Sequence, residues 1–227
     1  KRNGYTATSI ARKLTSIKKF HAFCFADISG INSDPAKLIS ASKKEVHLPD
    51  SIRTIGVESF MYQTKLRYVA FNDNITSIGM NAFGMGFSAE AKEMIITALP
   101  TNLITLGVGA FTSHGGLSIT SLPKGLATVP NDCFKWCPNI HIDTFGGDDS
   151  ALVAIGDNAF FGAGKDKGKI TTLYFGDKIT RLGSSSFAEY GSVSGVDAIV
   201  TSNDISILDW DLNSIFGKEV DVSNTGI

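Results

Sequence analysis

The chain has 227 residues, of which 43% are hydrophobic and 19% charged, and this balance excludes an intrinsically disordered or collagen-like protein. Its net charge of −1 gives no electrostatic reason to bind nucleic acid or an anionic membrane surface. No run approaches the roughly 20 apolar residues that a membrane span needs, so we predict no membrane insertion by this sequence.

The first 42 residues are predicted to form an N-terminal cap and a degenerate first repeat. Within them, residues 10–23 carry the apolar spacing of an amphipathic helix that follows Ser9. They can equally be aligned as a degraded repeat that ends at Phe23.

From residue 43 to 208 the sequence is repetitive. Six segments follow the pattern apolar-x-x-apolar-Gly-x-x-small-Phe, with Pro130 replacing the Gly once. The phenylalanines of these segments are Phe60, Phe83, Phe111, Phe134, Phe160 and Phe187. Successive phenylalanines are 23 to 28 residues apart. A period of this length is typical of a solenoid, so we expect the rings to stack in one shared interior. Because proline cannot adopt a positive φ, the Gly position is predicted to serve close backbone approach or a sharp turn, and not to require a left-handed residue.

A second block precedes each Phe segment and has inward positions three, then two, then four residues apart. Leu66, Val69, Phe71 and Ile75 are the clearest instance. Such alternation predicts one short parallel strand per turn. The predicted fold is therefore a mainly β repeat solenoid, a right-handed coil with a parallel sheet on its concave face and irregular or short helical convex segments. Residues 209–227 are predicted to form a C-terminal cap and tail.

The phrases at residues 48–60, 75–83 and 155–160 resemble the BspA-like, or Treponema pallidum type, class of leucine-rich repeat. Cys137 stands three residues after Phe134, where that class often has a cysteine. The resemblance implies an adhesion or recognition protein, extracellular or at the cell surface, that binds host matrix proteins or other cells.

Residues that alternate with the inward ones should line the concave face. The six apolar residues predicted there are Tyr68, Ile96, Ile119, Ile142, Tyr174 and Val200. A continuous apolar row is larger than monomers usually expose, which predicts a protein or glycan ligand, or self-association. Alternatively, β-branched and aromatic residues are present only because they are good strand formers. Long insertions at 84–93 and 162–169 are a second candidate for contact with a partner.

No catalytic arrangement can be assembled from the sequence. Cys133 and Cys137 lack the spacing and the second pair of a zinc site, so we expect buried free thiols. The histidines are scattered one to a repeat and are expected at the surface. We therefore predict a non-catalytic recognition protein with no metal or cofactor. The alternative is a structural or assembly component, such as part of a virion or appendage, that packs against copies of itself.

Overall fold

The computed structural model describes residues 45–63, 66–85, 94–147, 149–203, 205 and 207–224. These residues wind into a parallel β-solenoid in which each turn contributes one inward phenylalanine. The predicted N-terminal cap lies outside the described residues.

One side of the coil, called here the strand face, carries six of the strands. They are β1 (Glu45–His47), β3 (Tyr68–Ala70), β7 (Thr144–Phe145), β9 (Thr172–Phe175), β11 (Ala198–Thr201) and β12 (Asp221–Asn224). All pair in parallel, in the orders β1-β3 and β7-β9-β11-β12. Single bridges from Tyr68 to Ile95 and from Ile96 to Leu117 continue the face beyond β3.

A second side carries two-residue strands just before the Gly position. They are β2 (Thr54–Ile55), β4 (Ser77–Ile78), β5 (Thr105–Leu106), β6 (Thr128–Val129), β8 (Ala154–Ile155) and β10 (Arg181–Leu182). They form two parallel sheets, β2-β4-β5 and β6-β8-β10. The second residue of each strand is apolar and buried. These short strands were not anticipated from the sequence.

The six predicted phenylalanines form one continuous ladder. Successive ring centroids are 4.9, 5.2, 5.6, 5.2 and 5.4 Å apart, and the rings are parallel to within 21°. Offset stacking at such distances is favourable. Phe216 extends the ladder at 5.7 Å from Phe187. The prediction of a single shared interior is confirmed.

Backbone contacts between turns explain the Gly position. A Cβ added to Gly107 would lie 2.2 Å from the backbone nitrogen of Met80, and one added to Gly183 would lie 2.4 Å from that of Asp157. Neither glycine has a positive φ. Of the two roles predicted for this position, close backbone approach is therefore the one observed. The left-handed residue is the one two positions before each Phe, for example Asn81.

The C-terminal residues cover the last turn of the core. Helix α1 (Leu212–Phe216) begins after Asp211, whose side chain accepts a hydrogen bond from the Ser214 backbone at 3.1 Å. It ends at Gly217, a left-handed C-cap with φ of 70°. Ile215 and Phe216 are the residues of this helix that are buried.

Candidate binding surface on the strand face

Three of the six residues predicted to line the strand face do not do so. Ile96, Ile119 and Ile142 have exposed fractions of only 0, 3 and 0% and belong to the core. The prediction that they form a surface row is wrong. The continuous apolar patch that the sequence suggested is consequently absent from the described surface.

A shift in the inward positions accounts for this error. In these three turns the first inward residues are two, then three apart, as in Met94, Ile96 and Leu99. The sequence frame placed Thr97, Thr120 and Asp143 inside, but all three are exposed. Burying an isoleucine stabilises by about 1.5–3 kcal/mol. Burying an unpaired hydroxyl or carboxylate is unfavourable, so the chain turns the isoleucine inward.

Two pairs of apolar residues remain on the strand face, one among the first turns of the coil and one among the last. At one side Tyr68 is half-buried and registers with Ile95, which is 48% exposed and was missed from the sequence. At the other side Tyr174, 47% exposed, registers with the half-buried Val200. Ile95 could have been found from the sequence because residues 94–96 are three consecutive apolar residues. In an alternating strand at least one residue of such a run faces outward.

The middle of the strand face is open. No strand forms at 97–99 or 120–122, and the backbone N–H and C=O groups of these residues make no hydrogen bond within the described part of the chain. A cavity of about 470 Å³ lies between 97–101 and 119–124. A second, of about 400 Å³, lies between 120–124 and 144–152. We call the second cavity the slot.

The slot is bounded by hydrogen bonds between adjacent turns. His141 N donates to Ile119 O at 2.9 Å at one end of the slot, and Ala151 N donates to Lys124 O at 2.8 Å at the other end. At the rim Lys124 Nζ contacts the Asp149 carboxylate at 2.8 Å. This hydrogen bond raises the pKa of Lys124 and lowers the pKa of Asp149, so the rim is a neutral ion pair at physiological pH.

A buried tyrosine fixes the backbone beside the slot. The Tyr190 hydroxyl donates to Ile142 O at 2.8 Å and accepts from Ile142 N at 3.1 Å. The backbone groups of Ile142 are thereby satisfied without a neighbouring strand. Burial raises the pKa of Tyr190 above its usual range, so the phenol stays protonated.

The remaining candidates from the sequence are accounted for as follows. Cys133 and Cys137 are buried and free, as predicted, and burial raises the pKa of Cys137 to about 12. His114 was expected at the surface but is fully buried against the rings of Phe83 and Phe111. Its aromatic ring packs in the ladder region, so the surface prediction is wrong for this histidine.

The second long insertion does not line the slot. Residues 86–93 of the first lie outside the described residues. In the second, Lys165 Nζ pairs with Glu189 at 2.6 Å and lies 4.8 Å from the Trp136 ring. Among the described residues there is no group of three or more potential metal ligands, and no helix with the length and apolar character of a membrane span.

A parallel solenoid whose turns each contribute one inward phenylalanine is an architecture found in leucine-rich-repeat proteins. A family model described as the BspA type leucine rich repeat region matches six copies over residues 38–163 and 89–194. The chain belongs to this BspA type leucine-rich repeat family, which confirms the resemblance in its sequence. No curated protein matches the chain significantly.

The solved structures to which the chain is similar include three leucine-rich repeat proteins. A leucine rich cell surface protein from Faecalibacterium prausnitzii A2-165 is 24% identical with a TM-score of 0.53, covering 70% of this chain and 39% of that one. A leucine-rich repeat protein from Bacteroides ovatus ATCC 8483 is 19% identical, with a TM-score of 0.39 and coverage of 80% and 51%. The T. pallidum leucine rich repeat protein is 14% identical, with a TM-score of 0.39 and coverage of 80% and 70%. The chain thus spans well under half of the Faecalibacterium protein.

Proposed function

We propose that this chain is the non-catalytic recognition part of a protein displayed on a cell surface or secreted, and that it binds a polypeptide partner through its strand face. One observation carries the proposal. Tyr174 and Ile95 expose about half of their side chains on strands whose inward neighbours are fully buried. Tyrosine and large aliphatic residues on a rigid surface are typical anchors of protein interfaces.

The arrangement of these residues suits an extended contact. Parallel register fixes Tyr68 beside Ile95 and Tyr174 beside Val200, and the two pairs are separated by exposed threonines and serine in the middle of the face. A rigid β-scaffold holds such anchors with little loss of conformational entropy on binding. The BspA type family and its cell surface relative support an exported recognition role.

The experiment measures binding of the chain to immobilised fibronectin, laminin and collagen, chosen as probes because the family resemblance implies host matrix proteins as a ligand class. The double variant Tyr68→Ser and Tyr174→Ser removes the tyrosine from each of the two pairs. The control is Tyr62→Ser, because Tyr62 is 59% exposed but lies in a turn away from the strand face. Two interface tyrosines together contribute about 2 kcal/mol or more, so the double variant should weaken binding by more than about tenfold.

Two results would contradict the proposal. One is a double variant that binds the matrix proteins as tightly as the wild type does. The other is a chain that binds none of them and instead forms salt-sensitive oligomers in light scattering, which would favour the assembly alternative. A glycan array probed with the same variants separates a glycan partner from a polypeptide.

A further inference from the structure

We infer that the outer edge of β12 (Asp221–Asn224) is a site where an extended, basic segment of a partner polypeptide adds as a further strand of the strand face. This inference rests on the proposed function and specifies where the partner's backbone would be held. β12 is the last strand in the order β7-β9-β11-β12, and within the described residues it pairs with β11 alone. An unpaired strand edge is a template for another strand.

The backbone groups that this edge offers follow from the pairing on its other side. Asp221 N donates to Asp197 O at 2.9 Å, so the backbone groups of Asp221 point toward β11. Successive residues of a strand direct their backbone groups to opposite sides. The N–H and C=O groups of Val222 and Asn224 therefore point outward, in the alternating arrangement that a partner strand needs.

The side chain of Val222 shows that the core is left partly uncovered at this edge. Val222 registers with Ile199, and Ile199 registers with Leu173, so the three residues form one inward column. Ile199 and Leu173 are 0% exposed, whereas Val222 is 37% exposed. A strand added beside β12 would place a residue over Val222 and remove this apolar surface from water, which favours a β-branched residue at that position.

A cavity of about 550 Å³, called here the end groove, continues the site at the start of β12. Leu212 and Val220 form its apolar part, and both pack against the core while remaining only partly buried. The end groove gives side chains of the added strand a place to pack before the strand reaches Val222.

The charges of the end groove favour a basic partner. The Asp197 carboxylate is already paired with Lys169 at 2.7 Å and with Lys218 at 3.1 Å. Glu219 and Asp221 line the same groove, are exposed, and form no ion pair within the described part of the chain. The lining is therefore net negative, which selects lysine or arginine beside the apolar residues of the partner segment.

The site adjoins one of the two apolar pairs of the strand face. Ser223 registers with Val200, and Val200 registers with Tyr174. Neighbouring strands are about 4.8 Å apart, so an added strand would lie roughly 10 Å from β11 and roughly 15 Å from β9. The partner would thus pair its backbone with β12 and cover Val200 and Tyr174 with the chain on either side of the added strand.

A proline variant with a matched control tests the edge. Val222→Pro removes an outward N–H group and leaves the groups that face β11 in place, which is where an edge strand tolerates proline. The control is Val193→Pro, because Val193 is the second residue of a turn closed by Gly195 N and Ser192 O at 3.1 Å. Proline is favoured at that position of a turn, and Val193 lines neither β12 nor the end groove. Far-UV circular dichroism checks that both variants fold.

The probe is a displayed library of linear dodecapeptides selected on the wild-type chain. The selected peptides should combine lysine or arginine with β-branched residues, and should bind Val222→Pro about tenfold more weakly or worse but Val193→Pro as well as the wild type. Glu219→Lys should also weaken their binding by about tenfold. Asp177→Lys makes the same change of charge at an exposed residue outside the end groove and should have no effect.

Amide hydrogen exchange in the wild-type chain distinguishes strand addition from contact by side chains alone, and it does not depend on the folding of any variant. A bound peptide should slow the exchange of the Val222 and Asn224 amides by about tenfold or more, because these are the outward donors. The amides of Asp221 and Ser223 already face β11 and should change less.

The inference is overturned if the library yields no binder, if the selected peptides bind Val222→Pro as tightly as Val193→Pro, or if they leave the exchange of Val222 and Asn224 unchanged. The proposed function fails differently. If matrix binding depends on Tyr68 and Tyr174 but ignores Val222→Pro, the recognition role stands and strand addition at β12 is wrong. If the tyrosine variants have no effect while the selected peptides still discriminate against Val222→Pro, the edge site stands and the tyrosine anchors are wrong.

Discussion

Truncating the middle of the phenylalanine ladder should severely destabilise the protein. Phe134 is 0% exposed and stacks on Phe111 at 5.6 Å and on Phe160 at 5.2 Å. A buried Phe→Ala change costs about 3–5 kcal/mol, against a typical stability of about 5–15 kcal/mol. Phe134→Leu keeps most of the apolar volume and loses two ring contacts of about 0.5–1.5 kcal/mol each.

Urea unfolding followed by circular dichroism and tryptophan fluorescence gives the free energy of unfolding of each variant. The control is Phe161→Ala, one residue along in the neighbouring turn, where the ring is partly exposed and contacts Trp136 at 4.9 Å. We expect this control to lose only about 1 kcal/mol. If it costs as much as Phe134→Ala, or if Phe134→Ala costs less than about 1 kcal/mol, the ladder does not hold the turns together.

Three further variants test individual contacts by the same unfolding measurement. Gly107→Ala places a Cβ 2.2 Å from a backbone nitrogen of the preceding turn and should cost several kcal/mol, whereas Gly147→Ala should stay within about 0.5 kcal/mol of wild type; equal losses would contradict the close-approach account. Tyr190→Phe leaves the buried backbone groups of Ile142 unpaired and should cost about 1–3 kcal/mol, so a neutral result would refute that role. Burial lowers the pKa of His114 to about 4, below the value of 6.5 in the unfolded chain. Between these two pH values the unfolded chain binds a proton that the folded protein does not. The free energy of unfolding should therefore fall by about 3 kcal/mol as the pH drops from about 6.5 to 4. His114→Leu should remove this part of the pH dependence, and an unchanged profile would show that the imidazole does not cause it.

The interior of the solenoid could be predicted from the sequence because its signal is repeated. The spacing of Phe, Gly and apolar residues recurs in six turns, and an error in one turn is corrected by the others. Pro130 also showed that the Gly position does not require a left-handed residue, because proline excludes a positive φ. The two-residue strands on the second side, β2, β4, β5, β6, β8 and β10, escaped prediction because two residues are too few to show alternation.

The surface could not be predicted as well because its pattern is local to each turn. A one-residue shift moved Ile96, Ile119 and Ile142 from the surface to the core, since the side-chain period of a strand is two and any slip exchanges its faces. The polar Thr97, Thr120 and Asp143 in predicted inward positions were the available warning. The slot had a weaker signal still, because an insertion at 146–150 does not by itself indicate that the neighbouring strand is unpaired.

Amide hydrogen exchange in the free protein tests the central claim most directly, namely that a continuous interior underlies a strand face with an open middle. Phe111 N and Phe134 N donate to the next turn at 2.9 and 2.8 Å, and their exchange should be slow. The amides of residues 97–99 and 120–122 should exchange rapidly, since they have no hydrogen-bond acceptor within the described part of the chain. Protection of 120–122 equal to that of Phe134 would contradict the account.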